Sequence, residues 1–219
     1  MNIRIMLKLL HTLEQLRKHE RWTRSQLENY QAAALRDLRN YAYERSPFYQ
    51  RFHKGLMDRP LAELPVLTKA MLMENFNDLV TDRTLQLENI RRFATDGEVG
   101  QRFQDRYHVN ATSGSSGHPG FFLFDESEWT FVLASFARGQ EWSGVHINLT
   151  RQQKMATVAS ISPWHMSSQV AATAKSWWRP SLRIPASQPI SKTVEQLNEW
   201  QPEVLISYAS MAGALAEEQ

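Results

Sequence analysis

Between residues 111 and 120 the chain reads Ala-Thr-Ser-Gly-Ser-Ser-Gly-His-Pro-Gly, four hydroxyl side chains and three glycines in ten residues. Glycine lets a backbone turn sharply and approach a ligand with no Cβ in the way. Successive amides in such a turn form a concavity for anions, and the hydroxyls add further donors. A polyphosphate is the ligand that this chemistry suits. The loop is not a Walker sequence. Gly139 and Gly144 have the Walker glycine spacing, but Val145 and His146 follow where Lys and Ser or Thr are required. No GxGxxG dinucleotide fingerprint occurs either. A plain Gly/Ser hairpin loop has the same composition, and composition alone does not separate the two.

Other chemistry is thinner. There are no cysteines, which removes disulfides, thiolate metal sites and cysteine nucleophiles together. The seven histidines show no HxH or HxxxH pairing, so no metal centre is expected from neighbouring ligands. Asp96, Glu98 and Asp105 lie in an irregular polar stretch and read as a solvated loop rather than an acid/base pair. Trp177-Trp178-Arg179 reads as a helix end packed on the core before it reads as a stacking platform. No catalytic residue is assigned.

The elements around the loop follow from periodicity. Residues 1–20 and 25–45 read as helices. In the second, Leu27, Tyr30, Ala34, Leu38 and Tyr41 share one face, which is expected to be core. Ser46-Pro47 should end that helix. Residues 58–66 read as loop, and Thr68 as the N-cap of a short helix through Phe76. From about residue 90 strands are expected: Ile90–Ala94, a turn at Asp96-Gly97, then Tyr107–Ala111, and Gly120–Phe124 beyond the hydroxyl-rich loop. Asp125 with Glu128 forms a capping box for a helix that turns Trp129, Val132, Leu133 and Phe136 inward. A β-prone run covers Met155–Ile161, Val194, Leu197 and Trp200 mark a helix, Glu203–Ser207 a buried strand, and Ala209–Glu218 a last helix. The expected class is α/β: a mainly helical region over residues 1–89, then a mixed, partly parallel sheet flanked by helices over 90–219, the two making one incomplete large domain. The chain stops directly after a strand–helix unit, which reads as a fold cut short. Apolar surface left open by such a cut should promote association, so self-association (a homo-oligomer being one form), aggregation or crystal contacts on that face are expected, and the oligomeric state is left open.

Of 219 residues, 42% are hydrophobic and 22% charged, a composition that excludes disordered, collagenous and disulfide-scaffold classes. No apolar run is long enough to span a bilayer, and the N-terminal Met1–Leu16 stretch is interrupted by Arg4 and Lys8. The lack of cysteine fits the cytoplasm. Net charge is +2, with 12 Lys+Arg against 6 Asp+Glu in residues 1–60 and 13 against 17 beyond. Glu14, Glu20, Glu28 and Asp37 interleave the basic residues, so a solvated helical face explains them better than a nucleic-acid surface.

Thr112-Ser113-Gly114-Ser115-Ser116-Gly117-His118-Pro119 resembles the phosphate loop of the adenylate-forming (acyl-CoA synthetase-like) superfamily. The flanks resemble its phenylacetate–CoA ligase and coenzyme F390 synthetase branch: Tyr43 to Tyr49, Leu64-Pro65-Val66-Leu67-Thr68-Lys69, Ile184-Pro185 and Trp200 to Ser210, in the family's order. The resemblance covers residues 40–219. It implies the N-terminal part of an ATP-dependent ligase that joins a carboxylic acid to AMP and then passes the acyl group to a thiol such as coenzyme A. By the same resemblance Thr112, Ser113, Gly114, Ser115, Ser116 and Gly117 would hold the ATP phosphates with Mg2+, and Trp164 and His165 would face the acid, although His165 reads first as a partly buried structural histidine beside Trp164. Gly120 stands where the superfamily often has Lys, and Ser116 where Thr is usual. The family's adenine-side motif, its ribose-binding Asp and its C-terminal lid with the catalytic Lys do not occur here. The chain alone is therefore expected to be inactive and to need the missing C-terminal half. A truncated, non-catalytic module acting through partner binding is the alternative.

Overall fold

Two long helices open the chain. The structure, a computed structural model, describes residues 3–112, 119–145, 151–173, 177 and 179–218. Helix α1 (Ile3–His19) lies against α7 (Glu126–Trp142), with Leu13, Leu16 and Ala134 buried between them. Ion pairs Arg17–Glu141, Lys8–Glu126 and Arg138–Glu20 cross the same interface. Lys8 and Arg17 of α1 thus meet acids of α7, while Glu20 just beyond α1 meets Arg138. Helix α2 (Arg24–Arg45) starts in a capping box in which the Thr23 hydroxyl accepts from the Gln26 amide and the Gln26 side chain accepts from the Thr23 amide. It ends at Ser46, which also caps α3 (Pro47–Phe52).

The apolar stripe of α2 is not core. Tyr30, Leu38 and Tyr41 are about half exposed or more, Ala34 is exposed, and no residue of the helix is buried. The inward face carries Leu35, Ala42, Tyr43 and Arg39, whose guanidinium donates to the carbonyls of Leu56 and Arg59. Periodicity fixes which side chains share a face, but here a polar anchor decides which face turns inward.

The segment 58–66 is irregular apart from one 3₁₀ turn at Leu61–Glu63. Thr68 then caps α4 (Lys69–Glu74), which stops two residues short of its expected end. Asn75 separates it from α5 (Phe76–Leu79). The expected strand at residues 90–94 is instead part of α6 (Leu87–Asp96). Leu87 and Ile90 are buried and Phe93 and Ala94 pack beside them, at a spacing that suits a helix on a core. The Asn77 side chain receives the Leu87 amide at the helix start. Gly97 ends the helix, and a Cβ there would sit 2.6 Å from the Phe93 carbonyl oxygen.

Strands β1 (His108–Ala111) and β2 (Phe121–Phe124) form an antiparallel hairpin in register His108↔Phe124 to Ala111↔Phe121. Its inner face joins Phe76, Ile90, Phe103, Tyr107 and Trp164 in the largest core cluster, which ties α4–α6 to the hairpin. The second sheet is parallel, in the order β4–β3–β5, from β3 (Met155–Ala159), β4 (Ser181–Pro185) and β5 (Val204–Ser207). Helices α8 (Met166–Thr173), α9 (Ile190–Trp200) and α10 (Ala209–Glu218) connect and cover it. Val158, Ile184 and Leu215 are its buried centre.

The α/β class and the partly parallel sheet therefore stand as read from sequence. Three further burial expectations do not. β5 has Leu205 42% and Ile206 40% exposed, on opposite faces, because it is an edge strand that the described residues cover incompletely. In α7 Trp129, Thr130, Leu133 and Ala134 are buried, but Phe136 is exposed. Trp177 is 72% exposed rather than packed.

Candidate functional site

The hydroxyl-rich loop leaves β1 and re-enters β2 through a closed neck. The Thr112 amide donates to the Gly120 carbonyl at 2.9 Å, and the Gly120 amide donates to the Thr112 hydroxyl at 2.8 Å. Thr112 Oγ1 is used there as an acceptor, so its own proton remains available to a ligand. The pair continues the hairpin ladder and fixes where the loop begins. Ser113, Gly114, Ser115, Ser116 and Gly117 lie outside the described residues.

The stem of a lysine passes this neck. A Cβ on Gly120 would lie 3.5 Å from Lys69 Cδ and 3.6 Å from Thr112 Oγ1, so the lysine stem and the threonine hydroxyl both border Gly120. Lys69 is the first residue of α4, placed by the Thr68 cap whose hydroxyl accepts from the Met71 amide at 3.2 Å. Among the described residues no carboxylate pairs with it. The sequence offered Thr68-Lys69 only as a family-like segment. Its proximity to Gly120, 51 positions away, depends on the packing of α4 against the hairpin.

Below the neck, Ala111 donates to the Trp164 carbonyl at 2.8 Å, which pins the segment after β3 to the end of β1. Trp164 itself is core: it is buried, its indole N–H donates to the Ala94 carbonyl at 2.6 Å, and its ring packs on Phe93. His165 is half-buried and starts the turn into α8, its carbonyl accepting from Ser168 and Gln169. The structure thus brings Thr112, Trp164 and His165 to one end of the hairpin, with the indole facing inward.

The other face of β1 carries polar groups that the sequence reading passed over. His108 is buried and stacks on Trp129 with ring centroids 4.4 Å apart. Burial, aided by the Arg102 charge and opposed by Glu126, pushes its pKa down to about 4. It is neutral at pH 7, and among the described residues its Nδ1 has no partner. Asn110 is buried and Gln169 of α8 is fully buried, and among the described residues both amide atoms of Asn110 and Oε1 of Gln169 are unpaired. Alternation along a four-residue strand puts His108 and Asn110 on one face, but burial of that face follows from α7 and α8, which the local sequence does not reveal.

A separate polar hub braces the core. Tyr107 donates to Asp82 at 2.6 Å, and Thr84 and Arg106 also bond that carboxylate. These partners lower the Asp82 pKa to about 2, the Tyr107 hydroxyl contributing most, while burial and Asp82 raise Tyr107 to about 12. Among the described residues no group of three or more His, Asp or Glu is arranged to hold a metal ion. None of the described helices is long and apolar enough to cross a membrane.

No family model matches the chain, and no curated protein does. Solved structures do. One is 2-hydroxyisobutyryl-CoA ligase in an open conformation with 2-HIB-AMP and CoA, at 23% identity and TM-score 0.55, covering 84% of this chain and 38% of that one. Another is the same ligase with 2-HIB-AMP and CoA in the thioesterification state, at 22% identity and TM-score 0.60, covering 89% and 40%. The chain spans about two fifths of the length of these neighbours. At this identity the likeness shows the fold: α/β, shared with part of an acyl-CoA ligase.

Proposed function

We propose that the chain is the ATP-phosphate-binding, N-terminal part of a carboxylate-activating ligase of the adenylate-forming superfamily, in the phenylacetate–CoA ligase and coenzyme F390 synthetase branch. The observation that carries this is the neck of the hairpin, where Thr112 and Gly120 close the ladder and the Lys69 stem lies beside Gly120. Thr112 through Gly117 would grip the β- and γ-phosphates, and Lys69 would add the positive charge. When the acid attacks the α-phosphorus, negative charge accumulates on departing pyrophosphate, and fixed donors that hold it lower the barrier. The partial match to ligases crystallised with an acyl-AMP and CoA supports the reading.

Mg2+ would arrive with the nucleotide and would offset phosphate charge there. The described residues offer it no carboxylate cage, and no step is assigned to it. Coenzyme A would be the acceptor, and the acid would sit toward His165. The remaining three fifths of the fold would supply the adenine, ribose and lid contacts. The open face of β5 suits a surface completed by more polypeptide. Pyrophosphate should displace a fluorescent ATP analogue from this chain, and AMP should do so far more weakly. Equal displacement by AMP, or no binding, would count against a phosphate loop.

A further inference from the structure

Helix α2 carries an apolar stripe that the described residues leave largely open. Leu38 is 63% exposed, Tyr30 and Tyr41 are about half exposed, Ala34 is exposed and Leu27 is half-buried. The residues turned toward the body, Leu35, Arg39, Ala42 and Tyr43, lie on another side of the helix. Tyr30 borders the His19 and Trp22 rings, and the Tyr41 hydroxyl donates to that of Thr81 at 3.4 Å.

The spacing of the stripe is symmetric. Tyr30 and Leu38 stand four residues to either side of Ala34, and Leu27 and Tyr41 stand seven. At about 100° per residue, all five fall within about 40° of the direction of Ala34. An antiparallel pair of identical helices matches position +n of one copy with −n of the other, so its apolar positions must be symmetric about the two-fold axis. A different partner imposes no such symmetry. With Ala34 on the axis, Leu27 of one copy faces Tyr41 of the other, and Tyr30 faces Leu38. Each leucine thus meets an aromatic ring, and the small central residue lets the helices approach closely. None of the five side chains is charged.

We propose that α2 pairs antiparallel with α2 of a second copy of this chain, with Ala34 at the two-fold axis. The inference is independent of the ligase reading. From Leu27 to Tyr41 the stripe is about 21 Å long, and with a face about 10 Å wide it covers roughly 200 Å² on each copy. Stable complexes bury roughly 800 Å² per partner, so this pair forms at high protein concentration and is lost on dilution.

The test is disulfide trapping in the 219-residue chain, which has no cysteine of its own. With helix axes about 9 Å apart, Ala34 meets its own copy at a Cα separation of about 4 to 5 Å, within disulfide range. Leu27 lies about 21 Å along the axis from Leu27 of the other copy, far outside that range. Under mild oxidation Ala34→Cys should run as a linked dimer on non-reducing electrophoresis. Leu27→Cys and Tyr41→Cys should each stay monomeric alone and cross-link when mixed. Adding Leu38→Glu should abolish the Ala34→Cys dimer with unchanged circular dichroism. Ile206→Lys should leave that dimer intact, because β5 is a separate surface. Comparable cross-linking by Leu27→Cys or Tyr41→Cys alone, failure of the mixture to link, or survival of the Ala34→Cys dimer beside Leu38→Glu overturns the inference. Absence of any Ala34→Cys dimer overturns it as well and gives the stripe to a different occupant.

Discussion

Lowering the pH from about 7.5 to about 5 should destabilise the wild-type chain by about 2 kcal/mol more than a His108→Phe variant. His108 is only 4% exposed on β1, and burial holds its pKa at about 4 against an ordinary 6.5. A depressed pKa means that the fold prefers the neutral ring. The associated stability is complete above pH 6.5 and drains away as the pH falls toward 4. At pH 5 the unfolded chain carries the proton in nearly all molecules and the folded chain in few. The two pKa values then give about 2 kcal/mol at about 1.4 kcal/mol per unit, allowing for partial protonation. Phenylalanine keeps a ring over Trp129, which His108 faces at 4.4 Å. His53, also depressed by burial, and the carboxylates titrate in both proteins and cancel. Urea unfolding followed by tryptophan fluorescence across this pH range reads the difference. Curves for the two proteins that run parallel from pH 7.5 to 5 would refute a buried, neutral His108.

Lys69→Met should weaken MgATP binding about tenfold and Lys69→Arg much less, measured by calorimetry, since one charge-assisted contact to phosphate is removed. Asp82→Asn should cost about 1 kcal/mol at pH 7, the carboxylate being partly exposed and screened. It should also flatten the acid limb, because a carboxylate held near pKa 2 contributes stability that is lost as pH falls from about 4 toward 2. Asp125→Ala should lower stability by about 1 kcal/mol through loss of the α7 capping box, read by thermal unfolding. Ile206→Lys should reduce self-association in sedimentation velocity, because it places a charge on the open face of β5.

Local signals were legible where a single segment decides the outcome. The Thr68 and Asp125 caps, the Ser46-Pro47 break and the last helix all lie where side-chain chemistry puts them. The errors share one cause, tertiary choice among locally acceptable options. Residues 90–94 are a short run with β-branched Ile90 and aromatic Phe93 around Arg91 and Arg92, yet the core below β1 takes them as a helix. The α2 stripe faces outward because Arg39 is tied to two carbonyls. Of the candidate site, the loop and its hydroxyls were visible as composition. Lys69 beside Gly120 was not, because only the fold brings these two residues together.

The most direct measurement is 31P NMR of MgATP titrated with the wild-type chain and with Thr112→Val. Selective broadening of the β- and γ-phosphate resonances by the wild type, much reduced in the variant, is the predicted result. No broadening, or equal broadening by both proteins, would contradict the claim that this hairpin loop binds polyphosphate.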